Sequence, residues 1–228
     1  MFNTHKNISI SIALLLTCVA AMSADLIKTK CYKTESPVGE VCIFEDKKVM
    51  GANSKKYFEC EEHGVPKLSA KDLKNSELRI TDSEGKEIDR QKIAALASLN
   101  LLKIKINGAK TFYTSYESVG CGSGSGTENS PFWVVNGKIN FLSINNKQIT
   151  FMNTLKSAWM PVNDGFLEAR SELNEKRGNP KIDDGFITIY TRYQLLNNSW
   201  VTKEKLKFGW TEFETELLEK DFPERAKK

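Results

Sequence analysis

"PFWVVNGKINFLSINNKQITFM" runs from Pro131 to Met152 and decides the fold. Asn136-Gly137 stands between "PFWVV" and "KINFLSI", and Asn145-Asn146 leads into "KQITFM". Asn-Gly and Asn-Asn accept the positive φ values of a two-residue hairpin turn, and alternating β-branched and aromatic residues on each side supply the strands. Working outward, Asn107-Gly108 separates "LKIKING" from "TFYTSYES", and Asn197-Asn198 separates "GFITIYTRYQLL" from "SWVTKEKLKF". Near the other end "LIKTKCYK" and "VGEVCIFE" flank "TESP", which predicts a hairpin turning at Ser36-Pro37. "KKYFECEE" reads as a further short strand before the break at "HGVPK". Successive hairpins of this kind form an antiparallel, meander-like sheet.

Helices are expected in two or three places. Asp89 can cap "DRQKIAALASLNLL", in which Ile93, Leu96 and Leu99 recur at helical spacing. "FLEARSELNEKRG", from Phe166, is rich in helix formers and ends at Gly178 and Pro180. "WTEFETELLEK" places Trp210, Phe213 and Leu217 on one face. One or two helical turns are also expected over Ser69 to Lys74. The fold class expected from sequence is therefore α+β: predominantly antiparallel sheet, two or three helices, and disulfide staples.

The N-terminus has the form of a secretory signal peptide. Lys6 lies in a short basic start, Ile8 to Met22 is largely apolar, and small residues follow at Ala21, Ser23 and Ala24. Residues 1–24 are expected to be removed, with cleavage after Ser23 or Ala24. "LLTC" at Cys18 offers a lipoprotein alternative, with Thr17 poorly suited to the position before the cysteine. Residues 25–228 then form one β-rich domain, for which a sub-division near 108–110 is conceivable, in the periplasm or secreted. No other stretch is apolar enough to cross a membrane, so no integral membrane segment is expected after signal removal.

Net charge is +4 for the whole chain, and loss of the leader lowers it by one, since that segment holds Lys6 and no acid. Lysines and arginines are dispersed except at the C-terminal Arg225, Lys227 and Lys228. A nucleic-acid partner needs a clustered basic footprint, so none is expected.

Four cysteines lie beyond the leader: Cys31, Cys42, Cys60 and Cys121. An exported chain with an even count implies two disulfides, with three possible pairings. A turn at Ser36-Pro37 places Cys31 directly across from Cys42, within disulfide reach, and leaves Cys60 for Cys121.

The remaining motif is "SVGCGSGSGTENSPFW", Ser118 to Trp133. A phosphate loop would need a Lys and a following helix, and the stretch supplies neither. Gly122 to Gly126 spells G-x-S-x-G, but a nucleophile elbow needs a helix after its serine, and successive glycines oppose one. His63 is the sole histidine after the leader, which leaves Ser-His-Asp and Cys-His catalysis without a second choice of base. Cys60 and His63 resemble half a zinc site, but oxidised cysteines do not ligate, so no metal or cofactor is expected. "DDGF" at Asp183 lacks the ligand spacing of an EF-hand. "VNDGF" and "IDDGF" are similar turn-forming stretches, each preceded by a proline.

Flexible glycine and serine flanked by aromatics is the composition of contact loops. Tyr116, Gly122, Ser123, Ser125, Glu128, Phe132 and Trp133 are the candidate binding residues, with strand core as the competing role for the aromatics. The expectation is an exported protein-binding domain, of the general kind that includes inhibitors and immunity proteins, and more readily a non-enzyme than an enzyme. The alternatives are a cell-wall glycan hydrolase using two carboxylates and a structural accessory of the envelope.

Overall fold

The computed structural model describes residues 26–35, 37–46, 76–118, 126–154, 156–173 and 186–208. Every regular element among them is a strand, and all but the two of a small separate hairpin lie in three stacked antiparallel sheets. The first sheet has the order β1 (Leu26–Glu35), β2 (Val38–Asp46), β3 (Ser76–Asp82), β4 (Glu87–Ile93). The central sheet joins β5 (Ser98–Ile106), β6 (Ala109–Ser118) and β7 (Gly126–Val135). Its far side is shared by two short strands that both pair with β7: β8 (Lys138–Phe141) and β11 (Phe151–Asn153). Between these two, β9 (Ser143–Ile144) and β10 (Lys147–Gln148) form a small hairpin. The third sheet is a meander of β12 (Ser157–Val162), β13 (Gly165–Leu173), β14 (Phe186–Leu196) and β15 (Ser199–Phe208).

Side chains alternate between the two faces of a strand, and the central sheet uses both. Phe112, Phe132 and Val134 face one way, into a core shared with Val41, Ile43, Leu78 and Ile80 of the first sheet. Their chain neighbours Tyr113, Trp133 and Val135 face the other way, into a core shared with Trp159, Phe166 and Tyr193 of the third sheet. Asn129 through Val134 are consequently all buried. An unbroken buried run marks a strand covered on both faces. Aromatic rings fill the second core: Phe151 lies 5.2 Å from Trp159 and 5.2 Å from Tyr193, and Trp133 lies 5.8 Å from Trp200.

The expected turns are present. Asn107-Gly108, Asn136-Gly137, Asn145-Asn146 and Asn197-Asn198 all have positive φ at both positions. That is the geometry whose twist matches the flanking strands. Cys31 pairs with Cys42 across β1 and β2 and is joined to it by a disulfide. Cys60 and Cys121 lie outside the described residues, as do the leader, His63, "KKYFECEE", Ile182 to Gly185 of "IDDGF", the helical turns expected over Ser69 to Lys74 and the helix expected from Trp210.

The expected α+β class is corrected: the two remaining helices are strands. Asp89 to Leu102 forms β4, a reversal and β5. Leu96 has a φ of 56°, which interrupts any helix. Asp89, expected as a cap, instead accepts the Ile139 amide at 2.9 Å and the Lys138 ammonium at 3.3 Å, so its carboxylate ties β4 to β8. Phe166 to Leu173 is β13, hydrogen-bonded to β12 on one side and β14 on the other. Phe166, Leu167, Glu168 and Ala169 are all buried, on alternating faces. Helix propensity differs by only tenths of a kcal/mol among ordinary residues, and two strand ladders outweigh it.

Candidate functional site: the β6–β7 end of the central sheet

The glycine-rich stretch joins β6 to β7, and residues 119–125 lie outside the described ones. Gly122, Ser123, Ser125 and Cys121 belong to that part. What the structure defines is the support beneath them. β6 and β7 pair in unbroken register from Thr111↔Trp133 to Ser118↔Gly126. Tyr116 stands opposite Glu128 near the end of this ladder, and its hydroxyl donates to Glu128 Oε2 at 2.5 Å. Partial burial and the adjacent carboxylate hold the Tyr116 phenol protonated, with its pKa well above the usual range.

β11 braces the same end. Met152 pairs with Glu128, and the buried Asn129 amide donates to the carbonyls of Thr127, at 2.8 Å, and Phe151, at 3.2 Å. Gly126 sits so close to β11 that a Cβ there would lie 2.2 Å from the Asn153 carbonyl oxygen. This glycine answers a close backbone approach rather than a need for flexibility.

Of the candidate binding residues, Tyr116 and Glu128 come together, both half-buried. Phe132 and Trp133 are separated from them and from each other. Phe132 is fully buried between Phe112 and Phe141, and Trp133 is buried on the opposite face. Their rings hold the layers together and offer no free surface.

Other chemistry can be placed. Among the described residues the one set of side chains close enough to share a cation is Cys31, Glu40 and Cys42. Both cysteines are spent in the disulfide, so the set lacks the thiolates a metal would use. Among the described residues two carboxylates are buried, in different sheets. Glu45, on β2, accepts from the Ser76 hydroxyl and the Leu96 amide. Glu168, on β13, accepts from the Tyr193 hydroxyl at 2.8 Å. Burial raises the pKa of each. Asp164, in the β12–β13 turn, accepts from Arg192 at 3.0 Å and Gln194 at 2.5 Å. Each acid has a local partner that accounts for its position. No helix among the described residues is long and apolar enough to cross a membrane.

A concavity that no sequence feature announces is also present. It lies at the other end of β6, where the β1–β2, β5–β6 and β7–β8 reversals meet around Glu35, Lys105 and Lys110. The Asn-Gly pairs reveal two of these turns but carry no sign that they converge. No protein-family model, no curated protein and no solved structure matches this chain.

Proposed function

We propose that the chain is an exported protein-binding domain, an inhibitor or immunity protein working by contact in the periplasm or outside the cell. The leader-like N-terminus and the disulfide support export. The observation that carries the binding reading is the support of the β6–β7 loop. A glycine- and serine-rich connection joins the half-buried ends of β6 and β7, which are bridged by Tyr116 and Glu128 and braced by Asn129. A firmly held base limits the ordering entropy lost on binding to the connection itself.

Deletion of Gly122 to Ser125 tests this. Loop length contributes little closure entropy, so the shortened protein is expected to melt within a few degrees of the parent. Wild-type protein is used to capture a partner from periplasmic extract, the partner is purified, and its affinity is titrated against both forms. The proposal expects a large loss of affinity with little change in melting. Equal affinity of the two forms, or a collapse of stability with normal binding by the folded fraction, overturns it.

A further inference from the structure

The third sheet is buried on both faces, and the described residues cover only one of them. Ile187 to Thr191 of β14 are all buried, as are Phe166 to Ala169 of β13 and Ser157 to Met160 of β12. Unbroken buried runs mark strands covered on both sides. One face carries Trp159, Phe166 and Tyr193 and packs on the central sheet. The other carries Ala158, Met160, Leu167, Ala169 and Tyr190, which form a cluster of their own. The register sets Ala158, Ala169 and Tyr190 in one row and Met160, Leu167 and Arg192 in the next. Among the described residues only β12, β13 and β14 contribute to this cluster. Yet Met160 is 2% exposed, Leu167 3% and Tyr190 4%. A bare sheet face cannot hide side chains of that size, so chain outside the described residues covers it.

Composition and connectivity select which part. Residues 174–185 hold one large aliphatic side chain, Ile182, and residues 119–125 hold none larger than Val119. Residues 1–25 and 47–75 adjoin strands of the first sheet, on the far side of the central one. Residues 209–228 adjoin β15, in the third sheet itself. Phe208 pairs with Ile187, next to the row of Ser171 and Thr188 that borders the cluster. In "WTEFETELLEK", Trp210, Phe213 and Leu217 recur at helical spacing. A helix of that length is about 16 Å long, against about 14 Å across four strands. The same stretch carries Glu212, Glu214, Glu216 and Glu219. The β15 border of the face carries exposed Lys203 and Lys205, paired with Arg192 and Tyr190.

We propose that residues 210–220 form an amphipathic helix across the outer face of the third sheet, with Trp210, Phe213 and Leu217 against Met160, Leu167 and Tyr190 and the glutamates toward Lys203 and Lys205. Gly209 gives the chain the freedom to reverse after β15. The helix adds a fourth layer and closes this face to any partner, independently of the β6–β7 connection.

The test is NMR on the full chain, with methionine and leucine methyls and aromatic rings protonated in a deuterated background. Cross-relaxation from the Met160 and Leu167 methyls to the rings of Trp210 and Phe213 is expected. Absence of these contacts overturns the proposal, whichever other rings the methyls meet. A mixture of two differently labelled samples separates contacts within one chain from contacts between chains. Contacts seen only between chains assign the face to a second copy and overturn the proposal too. Trp210→Ala with Phe213→Ala is expected to raise several-fold the relaxation that a soluble paramagnetic agent causes at the Met160 methyl, while the Leu78 and Leu142 methyls in the other two cores stay protected. A Met160 methyl as well protected in that variant as in the parent overturns the assignment.

Discussion

Phe132 and Trp133 are adjacent in the chain and buried in different cores, so a pair of conservative substitutions tests the three-layer architecture directly. Phe132 is fully buried, with ring centroids 5.5 Å from Phe112 and 5.5 Å from Phe141. Trp133 is 6% exposed and lies 5.8 Å from Trp200. Truncation of such residues to alanine costs about 3–5 kcal/mol each. Two of these losses would consume most of the roughly 5–15 kcal/mol that stabilises a domain. Phe132→Leu and Trp133→Phe stay within a measurable range. Each forfeits part of its ring contacts, worth about 0.5–1.5 kcal/mol, and leaves a small void, for an expected loss of about 1–2 kcal/mol. The two side chains share no aromatic partner, so the double variant should fall within about 0.5 kcal/mol of the sum. Urea unfolding followed by far-ultraviolet circular dichroism gives the three values without relying on the altered tryptophan. A sheet with one wet face would give a different result, one substitution costly and its neighbour nearly neutral. A loss below about 0.3 kcal/mol for either residue would refute burial on both faces, since surface substitutions stay within about ±0.5 kcal/mol.

Two further outcomes follow from the packing. Gly165→Ala places a Cβ 1.9 Å from the Tyr193 carbonyl oxygen, so β13 and β14 must separate locally, with an expected loss of about 2–3 kcal/mol; an unchanged thermal midpoint would show that this ladder yields without strain. Glu45 is 3% exposed, burial raises its pKa, and its Oε1 has no hydrogen-bond partner. A carboxyl whose folded pKa lies above its unfolded value contributes most below the unfolded value, about 4.3, and loses that contribution as pH rises through the folded one. Glu45→Gln should therefore become progressively less destabilising relative to wild type between about pH 4 and 7. Urea midpoints of both proteins across that range check it, and parallel curves would mean that Glu45 ionises freely in the fold.

What could be read from the sequence depended on how local its cause was. Asn107-Gly108 and Asn136-Gly137 announce hairpins because a positive φ is a property of those residues themselves. The Cys31–Cys42 bond follows from counting residues about one turn. The errors arose where the cause was tertiary. Ile93, Leu96 and Leu99 match a helical period, but Ile93 and Leu99 enter the first core from two different strands, and Leu96 lies in the reversal between them. Asp89 looked like a cap because its partners, Lys138 and Ile139, lie some fifty residues away. The β13 segment contains good helix formers, and only the presence of a ladder on each side makes it a strand. Tyr116 and Glu128 were legible as flanks of a loop, whereas their hydrogen bond needed the register. The grouping of Glu35 with Lys105 and Lys110 was out of reach for the same reason.

The stacking itself narrows where such a protein can touch a partner. Both faces of the central sheet are consumed by packing, so neither is available to a ligand. Three of the edge strands carry exposed charge. β1 carries exposed Lys28, Lys30 and Lys33, β5 carries Lys103 and Lys105, and β15 carries Lys203, Glu204 and Lys205. Lysines along an edge strand discourage another strand from adding to it. Strand ends remain, and there the chain differs most from a generic sheet. β6 starts at the crevice beneath Glu35 and Lys110 and finishes at the Tyr116–Glu128 bridge below the glycine-rich loop. Along the extended chain, the six steps from Lys110 to Tyr116 separate the two by about 20 Å. The burial that removes the faces from contact also fixes these two ends against each other.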